Sequence, residues 1–385
     1  MNIVIVTWGK EGKYLFTLLN SKFNNRYYVK WIADENSSVW GVVENSKGEN
    51  IKIGSLARAA AMFSQKIIDY FLIPSLNENP NRENIVEKIK NRYEIPESAF
   101  LYAPISIFKN NSLNDEEKLS EICSYSVRRE LDFLEFHVAD HCNLNCKNCS
   151  MFSGLVEGKV FADYDKTRNG LLKLKTFFDH VKVFRIIGGE PLLNDRLSDY
   201  IDLVRLLYPF TDIRVITNGI LVRSMKPTLI ESLKNNKVSF IVTGYPALEN
   251  SYDEIADFLR KNEIRHVVGP TIYKFQKIYN KEGNSDTEKA FFQCNWKGTC
   301  ANIKENRIAT CFVPFVLPYF TNNFKLMPVK DDTIDLYEEG LSTEKIHSRL
   351  SMPMDACRYC TQKRMIVDWE LTDGDSKTCL EDWAV

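Results

Sequence analysis

The sequence predicts an α/β protein whose strands are mostly parallel and covered by helices, and three observations carry that reading. Residues 2–6 (NIVIV) have the apolar run and length of a buried strand, followed by helical spacing over 11–20 and a second strand over 27–33, so the chain opens as a β-α-β unit. From residue 131 to 268 strand-like and helix-like segments alternate. The last part, 286–385, loses this periodicity and holds six of the ten cysteines, as expected of a small domain organised around metal.

Composition narrows the class. With 385 residues, two or three domains are expected, and 44% hydrophobic with 26% charged residues excludes a disordered or collagen-like chain. Lys+Arg 50 against Asp+Glu 51 leaves a net charge of -1, which argues against a nucleic-acid partner. The apolar start at 3–6 is too short for a signal-peptide core and no later run spans a bilayer, so a cytoplasmic protein with no membrane partner is expected. In that reducing compartment ten cysteines point to metal rather than to a disulfide framework.

Taken in order, 67–74 (IIDYFLIP) adds a strand and 84–93 a helix, which gives a first domain over 1–108. The polar stretch 109–117 (KNNSLNDEE) reads as a linker. Leu119, Ile122, Cys123 and Val127 then recur at helical spacing, so Cys123 is expected to be a buried core thiol rather than a ligand. A second domain over 130–285 has strands at 131–138, 181–187, 213–217, 238–242 and 264–268, with helices at 171–178, 197–207, 229–235 and 255–261 between them, as in a full or partial barrel. Residues 276–289 are polar and expected to be a loop, and 286–385 form the third domain.

The chemistry concentrates at three strand ends. Cys142, Cys146 and Cys149 form a CxxxCxxC arrangement directly after the strand ending at 138. Three thiolates leave one position of a four-ligand site open, unless a structural zinc borrows a fourth ligand such as His141. Gly188-Gly189-Glu190-Pro191 ends the next strand, where small residues admit a ligand to the backbone and a carboxylate can hold an ammonium group. Thr217-Asn218-Gly219 ends the one after, with polar groups suited to a ribose or a carboxylate. All three lie at the carboxyl-end face where parallel barrels bind ligands.

These residues resemble the radical SAM superfamily, whose signature is CxxxCxxC after the first barrel strand and a GGE-type motif after the second. The resemblance covers about 131–270 and implies a partial (β/α)6 barrel. It also implies a [4Fe-4S] cluster on Cys142, Cys146 and Cys149 whose fourth iron binds the amino and carboxylate groups of S-adenosyl-L-methionine (SAM). Gly188, Gly189 and Glu190 would hold the methionyl amino group, with Asn218 near the methionyl or ribose part. Many members carry an aromatic residue before the third cysteine, and here it is Asn148. A low-potential cluster can pass one electron to the bound sulfonium and release a 5′-deoxyadenosyl radical that abstracts hydrogen from carbon. A reducing protein such as a flavodoxin or ferredoxin would supply the electron.

The carboxyl-terminal cysteines Cys294, Cys300, Cys311, Cys357, Cys360 and Cys379 have the form of a ligand hairpin followed by a CxxC turn. Spacing alone allows a zinc ribbon. Beside a radical SAM core they resemble SPASM and Twitch domains, which implies one auxiliary [4Fe-4S] cluster on Cys311, Cys357 and Cys360 with Cys294 or Cys300 as fourth ligand. Cys379 would be a spare. Those domains often have Gly five residues before a ligand cysteine, and here Asn306, which tolerates a left-handed turn, stands there.

At the amino terminus, Thr7-Trp8-Gly9-Lys10-Glu11-Gly12 with Asp34 after the second strand resembles a Rossmann GxGxxG fingerprint in which Thr7 replaces the first Gly. A Rossmann-like nucleotide- or sugar-binding domain and a plain structural turn or docking module are both open. The whole implies a radical SAM oxidoreductase acting on a sugar, cyclitol or nucleotide-linked small molecule, with the auxiliary cluster as electron acceptor. Modification of a ribosomally made peptide is the alternative within enzymes, and a non-catalytic metal-binding or regulatory protein the alternative outside them. No general base is assigned; Tyr245, Tyr273 and Lys274 lie near late strand ends.

Overall fold

The computed structural model describes residues 1–75, 85–294, 301–373 and 377–385, which fall into two compact units, Met1–Glu130 and Leu131–Val385. In the first unit the elements are β1 (Asn2–Val6), α1 (Lys10–Leu19), β2 (Tyr28–Ala33), β3 (Gly41–Glu44), β4 (Asn50–Gly54), α2 (Leu56–Ser64), β5 (Tyr70–Pro74), α3 (Ile85–Tyr93), β6 (Phe100–Ala103), α4 (Ile105–Lys109), α5 (Asp115–Ser120) and β7 (Cys123–Ser124). The seven strands form one sheet in the order β3-β4-β2-β1-β5-β6-β7, with β4, β2, β1, β5 and β6 parallel.

β1 is apolar throughout because both of its faces are covered. Val4 and Val6 join the core built with α2 and α3, while Ile3 and Ile5 join Leu15 and Leu19 of α1 on the opposite face. At its carboxyl end Asp34 closes the turn: its Oδ2 accepts from Trp8 N at 2.7 Å and its Oδ1 from Asn36 N at 2.8 Å. The helix expected to carry Cys123 stops at Ser120, and Cys123 lies instead in the short edge strand β7, antiparallel to β6. The open edge of β6 satisfies the backbone that further helix would have satisfied. Cys123 still packs against the core of the unit.

The second unit contains β8 (Glu130–Ala139), α6 (Tyr164–Lys175), β9 (His180–Gly188), α7 (Leu197–Leu207), β10 (Asp212–Thr217), α8 (Pro227–Asn235), β11 (Ser239–Gly244), α9 (Tyr252–Lys261), β12 (His266–Thr271), β13 (Lys274–Tyr279), α10 (Thr287–Phe292), β14 (Ala301–Lys304), β15 (Arg307–Ala309), α11 (Val313–Asn323), β16 (Ile334–Asp335), α12 (Thr343–Leu350) and β17 (Cys360–Asp368). Its main sheet runs β12-β11-β10-β9-β8-β14-β15-β16, with β9 to β12 parallel to one another and β14 parallel to β8. Leu134, Phe136 and Val138 of β8 face the helices and pack with Leu171, Tyr200 and Ile201. Two of the alternate positions, which face the other way, are polar, Glu135 and His137, and buried Glu135 accepts from Arg185 Nε of β9 at 2.6 Å.

The expected loop at 276–289 is largely ordered structure. β13 pairs antiparallel with β17 and places Tyr279 opposite Cys360, and Asp286 caps α10 by accepting from Lys289 N. Exposed Lys274 and Gln276 alternate with less exposed Phe275 and Lys277, the pattern of a two-stranded ribbon with one wet face, which polarity alone does not separate from a loop. A second core of this unit, around Phe152, Tyr279, Phe320 and Trp383, includes Tyr279 of the ribbon.

Candidate metal and cofactor site

The cysteine loop leaves β8 after Ala139. Asn145 (φ 52°) and Asn148 (φ 57°) take left-handed conformations immediately before Cys146 and Cys149, and Asn is the residue after Gly that adopts them most readily. Asn148, where an aromatic residue is usual, therefore serves the turn. Leu144 N donates to Cys142 Sγ at 3.4 Å, and Val160 N donates to His141 Nδ1 at 3.1 Å. Burial first, then the neighbouring Cys149 and Cys142, pushes the Cys146 thiol up to about 12. The Cys142 thiol is raised as well, chiefly by burial.

The two glycines after β9 press against the stem of this loop. Gly189 N donates to Ala139 O at 2.7 Å and Glu190 N to His141 O at 3.1 Å. A Cβ on Gly188 would stand 2.0 Å from Ala139 O, and one on Gly189 2.3 Å from His141 O. The close approach that demands glycine is thus made by the chain's own backbone, where the sequence suggested a ligand. Glu190 is wholly buried, and its carboxylate accepts from Leu192 N (2.9 Å), Thr217 Oγ1 (2.7 Å) and Asn218 N (2.8 Å). Burial outweighs those bonds and pushes the carboxyl up to about 7. Asn218 completes the link by donating from Nδ2 to Asn143 Oδ1 at 2.8 Å and to Cys142 Sγ at 3.4 Å. The residues read from three strand ends therefore form one bonded assembly.

A further layer was not legible in the motifs. The segment after β17 returns over the loop: Trp369 Nε1 donates to Cys146 Sγ at 3.1 Å, Lys147 N to Glu370 O at 2.8 Å and Thr372 N to Asn145 O at 2.7 Å. Lys147 Nζ lies 3.4 to 3.5 Å from the carboxylates of Glu370, Asp373 and Asp382. Tyr245, half-buried beside the three cysteines and Glu190, stacks on Trp369 with ring centroids 6.1 Å apart. Tyr273, by contrast, donates to Glu249, and Lys274 pairs with Asp368. Immediately after β8, Asp140 accepts from Tyr319 OH at 2.6 Å and Lys304 Nζ at 3.1 Å, with His137 Nδ1 3.4 Å away. These partners hold its carboxyl well below the usual range despite burial.

Comparison with known proteins gives the assembly a family. Residues 136–271 match the family model of the radical SAM superfamily. They are a radical SAM domain. GTP 3',8-cyclase of Sulfurimonas denitrificans is 29% identical over 153 residues, which cover 35% of this chain and 45% of the relative. GTP 3',8-cyclase of Clostridium acetobutylicum is 31% identical over 143 residues, covering 36% and 42%. The chain thus spans less than half the length of these curated relatives. Among solved structures, BtrN in complex with AdoMet and 2-DOIA aligns over 60% of this chain and 94% of its own at 16% identity and a TM-score of 0.41. The family implies SAM and a [4Fe-4S] cluster, and three thiols on one loop suit that group, since each thiolate binds one iron and the fourth iron stays open.

Beyond the radical SAM domain, the carboxyl-terminal thiols lie in a second neighbourhood. Burial and the nearby Cys360, Cys357 and Cys294 hold the Cys311 thiol well above its ordinary range, and burial also raises Cys357. Cys300 lies outside the described residues. Cys379 donates from Sγ to Glu381 Oε2 at 3.9 Å. The left-handed residue in the turn between β14 and β15 is Glu305 (φ 54°), while Asn306, expected to take that place, donates from Nδ2 to Asp335 Oδ1 at 2.7 Å. Among the described residues no three His, Cys, Asp or Glu side chains converge on the position of a single metal ion, whereas a four-iron cluster takes each thiolate on a different iron, and no helix is long and apolar enough to cross a membrane.

Proposed function

We propose that the chain is a radical SAM oxidoreductase that removes hydrogen from a carbon of a small sugar, cyclitol or nucleotide-linked substrate. The observation that carries this is the bonded assembly of Cys142, Cys146 and Cys149 with the Gly188-Gly189-Glu190 turn and Asn218. In this reading the three thiolates hold the [4Fe-4S] cluster, the backbone at Gly188 and Gly189 meets the methionyl amino group, and Asn218 borders the cofactor. With Glu190 engaged by Leu192, Thr217 and Asn218, its part is to keep the two turns in register. When bound, the cluster would supply the electron that divides SAM into methionine and a 5′-deoxyadenosyl radical. Tyr245 and Trp369 would exclude water from one side.

Cys311, Cys357, Cys360 and Cys294 are the proposed ligands of an auxiliary [4Fe-4S] cluster, with Cys300 as the other candidate for the fourth place. Their mutual influence on Cys311 supports this set. An acceptor of one electron there, with loss of one proton from the substrate, would complete a two-electron oxidation of a carbinol or amine carbon. The sequence relatives are GTP 3',8-cyclases, which favours a nucleotide-linked substrate. The strand order β4-β2-β1-β5-β6 supports a Rossmann-like first unit, which would bind a nucleotide or sugar portion or serve in docking.

The test is anaerobic reconstitution, reduction and addition of SAM, with 5′-deoxyadenosine read by mass spectrometry. The wild type should form it and hold about eight irons, as two four-iron clusters require. Cys146→Ala should form none. Stoichiometric zinc without iron would overturn the proposal.

A further inference from the structure

We infer that Trp369 is a positioning residue of the iron-sulfur site, whose indole N–H bonds the sulfur of Cys146 and raises the reduction potential of the cluster held there. The inference rests on the cluster assignment proposed above. Its basis is the 3.1 Å contact from Trp369 Nε1 to Cys146 Sγ, made across 223 residues of sequence.

The donor is held in place. Trp369 N donates to Tyr273 O at 2.8 Å, and the indole stacks at 28° on half-buried Tyr245. The residues that follow continue the attachment: Leu371 forms an antiparallel bridge with Cys146, and Thr372 N bonds Asn145 O. An indole has one N–H and no acceptor, so at this position it can only donate.

Reduction places additional negative charge on the cluster and its thiolate sulfurs. A donor aimed at one of those sulfurs stabilises the reduced form more than the oxidised form, as hydrogen bonds to charged acceptors are the stronger ones. The indole adds this bond while its apolar rings keep solvent away, which a hydroxyl or ammonium donor would not do. Loss of the N–H should therefore make the cluster harder to reduce.

The experiment is a potentiometric titration of the full, anaerobically reconstituted chain, following the EPR signal that Cys146→Ala removes. In Trp369→Phe the iron content should be kept, and the ratio of reduced to oxidised cluster at a fixed potential should fall about tenfold, a shift of ~59 mV to more negative potential. Trp369→His, which keeps a ring N–H, should recover part of the shift. An unchanged midpoint in a loaded Trp369→Phe protein overturns the role of Trp369 and leaves the cluster assignment standing. Absence of any Cys146-dependent signal in the wild type overturns both. Should Trp369→Phe fail to fold or load, electron-nuclear double resonance on wild type carrying 15N-indole tryptophan decides: coupling of that nitrogen to the reduced cluster supports the inference, and its absence contradicts it.

Discussion

The hydroxyl of Tyr279 donates to the carbonyl of Ser150 at 2.7 Å, which joins the strand partner of Cys360 to the residue that follows Cys149. Tyr279 is fully buried, with the Phe152 ring 4.5 Å away, and it lies within the influence of Cys360, Cys311 and Cys149. Tyr279→Phe keeps the ring and leaves a partly buried carbonyl without this donor, so it should lower unfolding free energy by about 1 kcal/mol. Urea unfolding of the apo protein at neutral pH measures this, and an unaltered midpoint would show that the bond adds no stability.

Gly189→Ala should cost more than a glycine change of the same size made in open space. Its new Cβ meets backbone, His141 O at 2.3 Å, and backbone cannot move aside as a side chain can. A loss of about 1–3 kcal/mol is expected, with reduced iron uptake. Gly41→Ala is the control, since nothing lies within 4 Å of its added Cβ. Equal stabilities for the two variants would contradict the packing described.

Glu190 has a pH signature. Its folded carboxyl is pushed up to about 7 from an ordinary 4.5, so between those values the folded state binds the extra proton and stability falls as pH rises. The contribution approaches about 3 kcal/mol once pH exceeds 7. Glu190→Gln should remove this slope, seen as a smaller loss of stability from pH 5 to pH 8 in paired urea titrations. Parallel profiles for the two proteins would refute it.

The strands facing helices were legible because burial on both faces writes a continuous apolar run, as in Ile3 to Val6, and burial on one face an alternation, as in Ile213, Val215 and Thr217 between less buried neighbours. The thiols and the Gly-Gly-Glu turn were legible because their spacing is local. β13 was not, because a ribbon with one solvated face carries polar residues at every other position, and Cys123 was misplaced because the edge of β6 competes with helix for its backbone. The contact of Trp369 with Cys146 leaves no local pattern, since the residues it joins are 223 positions apart. The partners of Glu190 come from a different strand end, so its burial could not be read from the motif itself.

Cys357→Ala should lower iron in the reconstituted protein by about half, as the loss of one of two four-iron clusters requires, while some SAM cleavage survives. Full iron retention would remove Cys357 from the ligand set. Loss of all iron would mean that the two groups of thiols assemble as one.

The most direct measurement is the low-temperature EPR spectrum of the reduced, air-free protein before and after SAM is added. If the loop thiolates leave one iron open, SAM binds it and the signal changes shape in the wild type, with the responsive signal absent from Cys146→Ala. An identical spectrum with and without SAM would contradict the account.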